Sequence, residues 1–445
     1  MRVQLSDHFN YKKLLRFVIA PVLMMVFTSI YGVIDGLFIS NYVGKTAFAA
    51  VNLIYPVIMI MGAVGFMLGT GGTAIVSRLL GEGNREKANA YFSLFVCVTA
   101  VSGIILAAVG EALITYIAKW LKADEKEGLY DYCVLYGRML LSTIPFFMLQ
   151  NVFQAFFATA EKPMLGFIVT AVAGCMNILL DGVLVGACNK GVLGAAIATC
   201  ASQVVGAVLP VIYFARKNSS LLKLGKPEFK IKVLFNACAN GSSEFVNSVS
   251  SSIVSIVFNN RLMGLVGEDG VSAYGVLMYV NFIFVSIFIG YAIGTAPVIG
   301  YNHGSGNKDE LKNIFKKSMI IMGITGVLMT SLALGLAKPI GMLFVGYDKE
   351  LLDMTVNAFY ISSFLFMFAG FSIFFSSMFT AFGNGLISAL ISFLRTIVYQ
   401  IAAVLVLPVF MGLTGVWLST TVSDVLAMIT AMIFVIVKRK KYGYA

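Results

Sequence analysis

The heptapeptide GEGNREK at residues 81–87 recurs as GSGNKDE at residues 304–310, an offset of 223 positions. The same offset aligns residues 69–90 with residues 292–313 without a gap. Further along the chain the match resumes with the offset reduced by one or two. We therefore interpret the chain as two homologous halves.

Each copy of this turn lies between long apolar segments. Of the 445 residues, 59% are hydrophobic and only 12% are charged, whereas soluble domains contain about 25% charged residues. A helix needs about 20 mostly apolar residues to cross roughly 30 Å of hydrocarbon. Twelve such spans are predicted near residues 14–40, 47–77, 88–118, 129–158, 163–187, 191–215, 233–260, 270–300, 311–337, 350–381, 385–410 and 413–437.

Six spans per half place both ends of each half on one side of the membrane, so the halves are related by an axis along the membrane normal. The predicted fold is an all-α membrane protein with two homologous six-helix bundles. The predicted divisions are an N-terminal lobe at 1–215, a basic cytoplasmic linker at 216–232 and a C-terminal lobe at 233–445. This plan suits alternating access, but it is also compatible with a rigid pore.

The distribution of basic residues predicts the orientation. One side carries 22 of the 32 Lys and Arg residues, the other side carries 8, and Arg138 and Arg395 lie within spans. Because cytoplasmic loops are enriched in Lys and Arg, we expect a multi-pass protein of the cytoplasmic membrane with both termini in the cytoplasm. The net charge of +11 then reflects topology and gives no support to nucleic-acid binding.

Several kinds of chemistry are disfavoured. The six cysteines show no C-x-x-C motif, and the two histidines form no cluster, so neither a transition metal nor a redox centre is expected. The Gly-rich turns lack the G-x-x-x-x-G-K-[ST] pattern of nucleotide-binding loops and are predicted to be tight cytoplasmic turns. We therefore expect a protein that is not an enzyme, has no cofactor and draws any energy from an ion gradient.

Ionisable residues inside spans are functional candidates because an uncompensated charge is costly there. Seven are predicted to lie inside spans, and static pairing is the competing explanation for four of them. Glu111 and Arg138 fall at similar depth on spans 3 and 4, and Arg395 and Asp424 lie on the neighbouring spans 11 and 12. The seven residues are Asp35, Glu111, Arg138, Asp181, Glu244, Arg395 and Asp424.

The first half concentrates oxygen-bearing groups at one depth. Asn177 and Asp181, in the stretch NILLD, are four residues apart and so share one helix face. With Asp35 and Thr199 they are predicted to lie about 10 Å below the outer surface at 1.5 Å per residue. Carboxylate, amide and hydroxyl oxygens suit a hard cation. Two neighbouring carboxylates would otherwise repel, and a bound Na+ or a shared proton relieves that repulsion.

The second half lacks this group of residues. Its positions equivalent to Asp35, Asn177 and Asp181 are Phe258, Tyr399 and Ala403. Residues needed only for packing would be expected in both halves, so we favour a cation site over a capped polar cluster.

The chain resembles the multidrug and toxic compound extrusion (MATE) family over essentially its whole length. The resemblance is carried by the twelve-span, two-half plan, the span 1 Asp in YGVIDGLFIS, NILLD, the Thr of GAAIATCAS and the repeated GxGN turns. It implies an antiporter that expels amphipathic molecules in exchange for Na+ or H+, with a first-lobe cation site. The motif positions fall on Asp35, Asn177, Asp181 and Thr199. Glu244 resembles an acidic residue of helix 7 in other members, although its surroundings differ.

We therefore expect a monomeric antiporter that exports small organic molecules, mainly cationic ones. Membrane lipid is the other expected partner, and no nucleic acid is expected. The coupling ion, Na+ or H+, stays open. Glu244, Arg395 and Asp424 are predicted to line the substrate cavity or to couple the second lobe, and Pro21 is either a hinge or a static kink of span 1. The alternatives are a lipid-linked oligosaccharide flippase and an uncoupled channel or receptor.

Overall fold

The computed structural model describes residues 3–121, 123 and 128–444. Arg2, Lys122 and Lys126, which enter the charge count above, lie outside these residues. Within the described part, eleven helices and one pair of helices bent by 55° are long and apolar enough to cross a membrane, so the predicted count of twelve is matched. The spans, numbered 1 to 12, are Tyr11–Val43, Thr46–Gly81, Arg85–Trp120, the bent pair Leu129–Ser142 and Ile144–Thr159, Pro163–Ala187, Gly191–Ala215, Ile231–Val266, Glu268–Gly304, Lys308–Val345, Lys349–Ala381, Gly385–Met411 and Leu413–Tyr442.

The repeated GxGN motifs form the tight turns that the sequence predicts. Gly83 and Gly306 have φ angles of 78° and 72°, a left-handed conformation that glycine adopts without steric cost. Asn84 and Asn307 then cap spans 3 and 9, since their side chains accept hydrogen bonds from backbone N–H groups three residues on. Both turns lie at the end of the bundle that carries the termini and the linker, which we call the basic end. The opposite end is the far end.

In the described part of the chain, three spans contain short π-helical segments, which often mark functional sites because the extra residue redirects side chains. They are Ile39–Val43 in span 1, Gly182–Ala187 in span 5 and Leu394–Tyr399 in span 11. Pro21 causes no break, since it lies within the continuous helix Tyr11–Phe38.

The two lobes meet along spans 1, 2, 7 and 8. Close backbone contacts lie at the basic end, where a Cβ atom added at Gly81 would collide with the carbonyl oxygen of Tyr301. A Cβ atom at Gly304 would collide in the same way with the carbonyl oxygen of Arg78. With the repeat offset of 223, Gly81 corresponds to Gly304 and Arg78 to Tyr301, so the two contacts are equivalent. The pseudo-two-fold axis therefore passes between them. Towards the far end, Gly275 of span 8 has no atom within 4 Å of an added Cβ.

The linker is attached to the first lobe rather than extended between the lobes. Arg85 donates hydrogen bonds to the carbonyl oxygens of Ser220 and Leu221. The side chain of Leu222 is fully buried in the core around spans 2, 3, 4 and 6. Part of the sequence between the predicted lobes therefore contributes to the first hydrophobic core.

The segment before span 1, residues 3–10, crosses from one lobe to the other. Leu5 donates its backbone N–H to Glu161, in the turn after span 4, at 2.8 Å. Phe9 donates its backbone N–H to Glu310, at the start of span 9, at 2.9 Å. The side chains of Leu5 and Phe9 are fully buried in the core of the second lobe. Glu161 has a φ angle of 56°, which a non-glycine residue adopts only at a cost.

Phe9→Ala is expected to release this segment from the second lobe. The ring is fully buried and lies 6.0 Å from the ring of Phe17 in an edge-to-face arrangement, and truncating such a residue typically costs about 3–5 kcal/mol. Trypsin should therefore cleave after Lys12 and Lys13 faster than in the wild type. Gln4→Ala, at an exposed position of the same segment, is the control. Equal cleavage rates in both variants would show that Phe9 does not hold the segment.

Candidate functional site

Spans 1, 5 and 6 bring the four residues of the predicted cation site together. Asp35 precedes the π-helical segment of span 1 by one turn, and Asp181 directly precedes that of span 5. The Asp35 carboxyl group interacts with the side chains of Asp181, Thr199 and Asn177. The Thr199 hydroxyl donates to Asp35 Oδ1 at 3.4 Å. The other three side chains therefore lie beside the Asp35 carboxyl group.

The interior of this site lacks hydrogen-bond partners. Asn177 is 1% exposed and Asp181 is fully buried, whereas Asp35 is partly exposed. No described N–H or O–H group donates a hydrogen bond to either Asp181 carboxylate oxygen or to Asn177 Oδ1, and the neighbour of Asp181 is a second carboxyl group, that of Asp35. Because buried polar atoms are normally hydrogen-bonded, each such oxygen requires an explanation. A ligand that accepts several oxygen donors would provide one.

The charges at the site are uncompensated within the described chain. Neither Asp35 nor Asp181 forms an ion pair with any described Lys, Arg or His residue. Two like charges 4 Å apart repel by about 4 kcal/mol at an effective dielectric constant of 20. The donor set consists of two carboxylates, one amide and one hydroxyl, which are hard oxygen ligands. It fits Na+ or a shared proton better than a transition metal, which prefers nitrogen or sulfur.

Aromatic residues that the sequence interpretation did not select surround the site. Tyr31 interacts with Asp35 and with Gln150 of span 4, and Tyr136 interacts with Asp35 and Thr199. Tyr31 lies one helical turn before Asp35, so its spacing could have indicated that it lies beside the site. Tyr136 lies among several tyrosines of span 4 and offered none.

The equivalent positions in the second lobe are filled by packing. Phe258, which corresponds to Asp35, is 1% exposed and stacks on Tyr274 with ring centroids 4.9 Å apart. Tyr399, which corresponds to Asn177, hydrogen-bonds Thr430 at 2.7 Å. The group of four polar side chains thus exists in one lobe only.

Of the seven ionisable residues predicted from the sequence, the other five form two pairs and leave one residue apart. Arg395 Nε lies 2.6 Å from Asp424 Oδ1, so spans 11 and 12 share the predicted ion pair. Arg138 Nε and Glu111 Oε2 are 3.9 Å apart, and both side chains are more than a third exposed. Glu244 interacts with Asn247 and forms no ion pair within the described part of the chain. The structure therefore does not join Glu244 to Arg395 or Asp424.

Known proteins match the whole chain. The MatE family profile matches twice, at residues 21–183 and 244–406, with the same offset of 223 as the repeat. The multidrug export protein MepA of Staphylococcus haemolyticus (strain JCSC1435) is 25% identical over 429 residues, which cover 96% of this chain and 93% of MepA. MepA of Staphylococcus aureus (strain MRSA252) is also 25% identical, over 97% of this chain and 94% of its own length.

Solved structures confirm the fold. The chain superimposes with a TM-score of 0.92 on a multidrug resistance MATE family transporter described as outward-facing, at 20% identity and with coverage of 100% and 99%. A MATE protein crystallised with MaL6 gives a TM-score of 0.91 at 20% identity, with 98% of each chain covered. Because the family profile matches both halves, the chain belongs to the MatE family and is a multi-pass membrane transporter, not an enzyme.

Proposed function

We propose that the protein is a secondary active antiporter that exports amphipathic, mainly cationic, small molecules in exchange for Na+ or H+. The observation that carries this proposal is the pair of Asp35 and Asp181 carboxylates, which have no cationic partner in the described chain. A pair of this kind is most stable when a cation or proton is bound, so its free energy depends on the ion. The relatives named multidrug export proteins support export as the direction.

The proposed cycle couples the site to the contact between the lobes. Span 1 carries Asp35 and also packs on span 8 of the other lobe, where Ser29 Oγ donates to the carbonyl oxygen of Phe282 at 3.3 Å. A change of charge at Asp35 therefore acts on a helix that belongs to the first lobe and packs against the second. In our proposal, a cation that enters from outside favours release of substrate outward, and release of the cation inward resets the transporter.

The orientation proposed from the sequence places the basic end in the cytoplasm. The lobes touch through backbone atoms at this end, so the described conformation would be closed to the cytoplasm. One elementary charge moved through 100 mV releases about 2.3 kcal/mol. For a substrate without net charge, one ion per cycle could thus sustain a gradient of a few tens-fold, since about 1.4 kcal/mol corresponds to a factor of ten. Exchange of a monovalent cation for one ion moves no net charge, so the concentration gradient of the coupling ion drives it.

Transport by reconstituted vesicles tests the proposal. With an outward gradient of Na+ or of H+ imposed separately, the ion being concentrated in the lumen, one of the two is expected to drive accumulation of a cationic dye such as ethidium in the lumen against its own gradient. Collapse of that gradient by an ionophore should abolish the accumulation. Dye movement that is indifferent to both gradients would instead indicate an uncoupled pathway.

A further inference from the structure

The Arg395–Asp424 pair occupies a membrane position where a guanidinium group needs further partners. Arg395 lies ten residues from the start of span 11, which is about 15 Å along the helix. Only its Nε–H has a partner in the described chain, at Asp424 Oδ1. The four N–H groups at the end of the side chain donate to no described protein atom, and they are not enclosed, since the side chain is 18% exposed.

The exposed part of Arg395 points away from lipid. The exposed apolar residues of span 11 before the π-helical segment, Leu386, Leu390 and Phe393, mark its lipid-facing side. Ser388 and Ser392 are buried on the opposite side, and Arg395 follows them at helical spacing. Because unsatisfied N–H groups are not tolerated in hydrocarbon, the guanidinium group must face water or a ligand between the spans.

The protein holds this guanidinium group in one orientation. Asp424 fixes its Nε side, and Ser423 Oγ donates to the Arg395 carbonyl oxygen at 2.9 Å, which anchors the backbone of the π-helical segment. The two terminal nitrogens then present the planar fork that binds carboxylates with two parallel hydrogen bonds. The first lobe has Ala173 at the equivalent position, so the common fold does not need this arginine.

We propose that Arg395 binds the carboxylate of amphipathic substrates, with Asp424 as its positioning residue. The proposal rests on the antiporter proposed above and assigns the residue that would bind the carboxylate of its zwitterionic substrates. Span 7 supplies a place for the positive end of such a molecule. Asn240 of span 7 contacts Gly385 of span 11. Towards the far end, Glu244 lies four residues after Asn240, and Arg395 lies ten residues after Gly385. The two charges are therefore offset by roughly 9 Å along the bundle.

Binding of two matched dyes to the purified full-length protein tests this assignment. Rhodamine B carries a carboxylate and a cationic ring system, and its ethyl ester keeps the cation but lacks the carboxylate. Dissociation constants are measured by fluorescence anisotropy without any ion gradient. Wild type is expected to bind the acid at least about tenfold more tightly than the ester, as a charge-assisted pair of hydrogen bonds allows. An equal affinity, or binding of neither dye, would overturn the assignment.

The variants separate binding by Arg395 from its structural pairing. In R395M/D424N both charges are removed together, so no unpaired charge is left inside the protein, and the acid-to-ester ratio should fall to about one. Arg395→Lys keeps the charge but not the fork, and should lower the ratio in a protein that retains the ion pair. Glu111→Gln, outside both sites, should keep the wild-type ratio. A wild-type ratio in R395M/D424N or in Arg395→Lys would overturn the proposal.

The outcome is distinguishable from failure of the antiport proposal. If the ratio depends on Arg395 but no ion gradient drives dye transport, only the antiport mechanism is wrong. If ion-driven transport of the ester persists while the ratio ignores Arg395, only the carboxylate site is wrong.

Discussion

Asp181→Asn protein is expected to lose ion-driven export by at least about a hundredfold while remaining folded. The Asp181 carboxylate is fully buried, and no described group donates a hydrogen bond to either oxygen. An amide has the same shape, but it cannot take up a proton and supplies no charge to a bound cation. A hundredfold loss corresponds to about 2.7 kcal/mol, a modest figure for removal of one of two charged ligands.

The same substitution is expected to stabilise the protein when the coupling ion is absent. It removes one of two like charges, and thus the repulsion between Asp35 and Asp181. Wild type should gain thermal stability on addition of the coupling ion, because an ion at a hundred times its dissociation constant contributes about 2.7 kcal/mol. The variant should show no such gain. Thermal unfolding in detergent with and without Na+, and at two pH values, measures both effects.

Glu111→Gln is the matched control for this prediction. Glu111 is also an acidic residue within a first-lobe span, but it is partly exposed and only loosely paired with Arg138, at 3.9 Å. Exposed pairs contribute about 0–1 kcal/mol, so export and ion-dependent stability should stay close to wild type. Unimpaired ion-driven export by Asp181→Asn would remove Asp181 from the site.

The spans were predictable because membrane thickness fixes both their length and their composition. The predicted limits of span 6, residues 191–215, coincide with Gly191–Ala215 in the structure. The largest differences lie at the far ends of spans 9 and 7, where the helices end at Val345 and Val266 instead of residues 337 and 260, and at the basic end of span 12, which ends at Tyr442 instead of residue 437. Capping side chains such as Asn84 and Asn307, rather than hydrophobicity, set the starts of spans 3 and 9.

The position of the candidate site was predictable because carboxylates in apolar spans are conspicuous and the repeat provides an internal comparison. Depth along separate helices placed Asp35, Asp181 and Thr199 at one level, and the structure brings these side chains together. Tyr136 could not be selected, because tyrosine is frequent in these spans and its rotation about the bundle depends on packing between helices.

Contacts between elements distant in sequence could not be derived. Leu5 and Phe9 enter the core of the second lobe, although the chain leaves them directly for span 1 of the first. Only the packed structure reveals this, since a short apolar motif fits many grooves. For the same reason, the repeat marks Gly81 and Gly304 as equivalent residues, but their contacts with the opposite lobe appear only once the lobes are placed side by side.

Leucine at Gly81 or at Gly304 is expected to abolish transport while each lobe stays folded. Each side chain would collide with a backbone carbonyl oxygen of the opposite lobe, that of Tyr301 or of Arg78, and a backbone atom cannot rotate away. An overpacking penalty of about 3 kcal/mol would lower the population closed at the basic end by about two orders of magnitude. A transporter that cannot close one end cannot complete an alternating-access cycle.

Thiol labelling of the closed contact measures this effect directly. Ser77, one turn before Gly81, is fully buried, so a Ser77→Cys thiol in a background lacking the six native cysteines should resist a water-soluble reagent. Gly81→Leu should make that thiol reactive and stop dye export. Gly275→Leu is the control, since Gly275 is on the same span as Gly304 but has no atom within 4 Å of an added Cβ. It should leave both the protection of the thiol and the export of dye unchanged. A protected thiol with normal export in Gly81→Leu would mean that the lobes do not need this backbone contact to close.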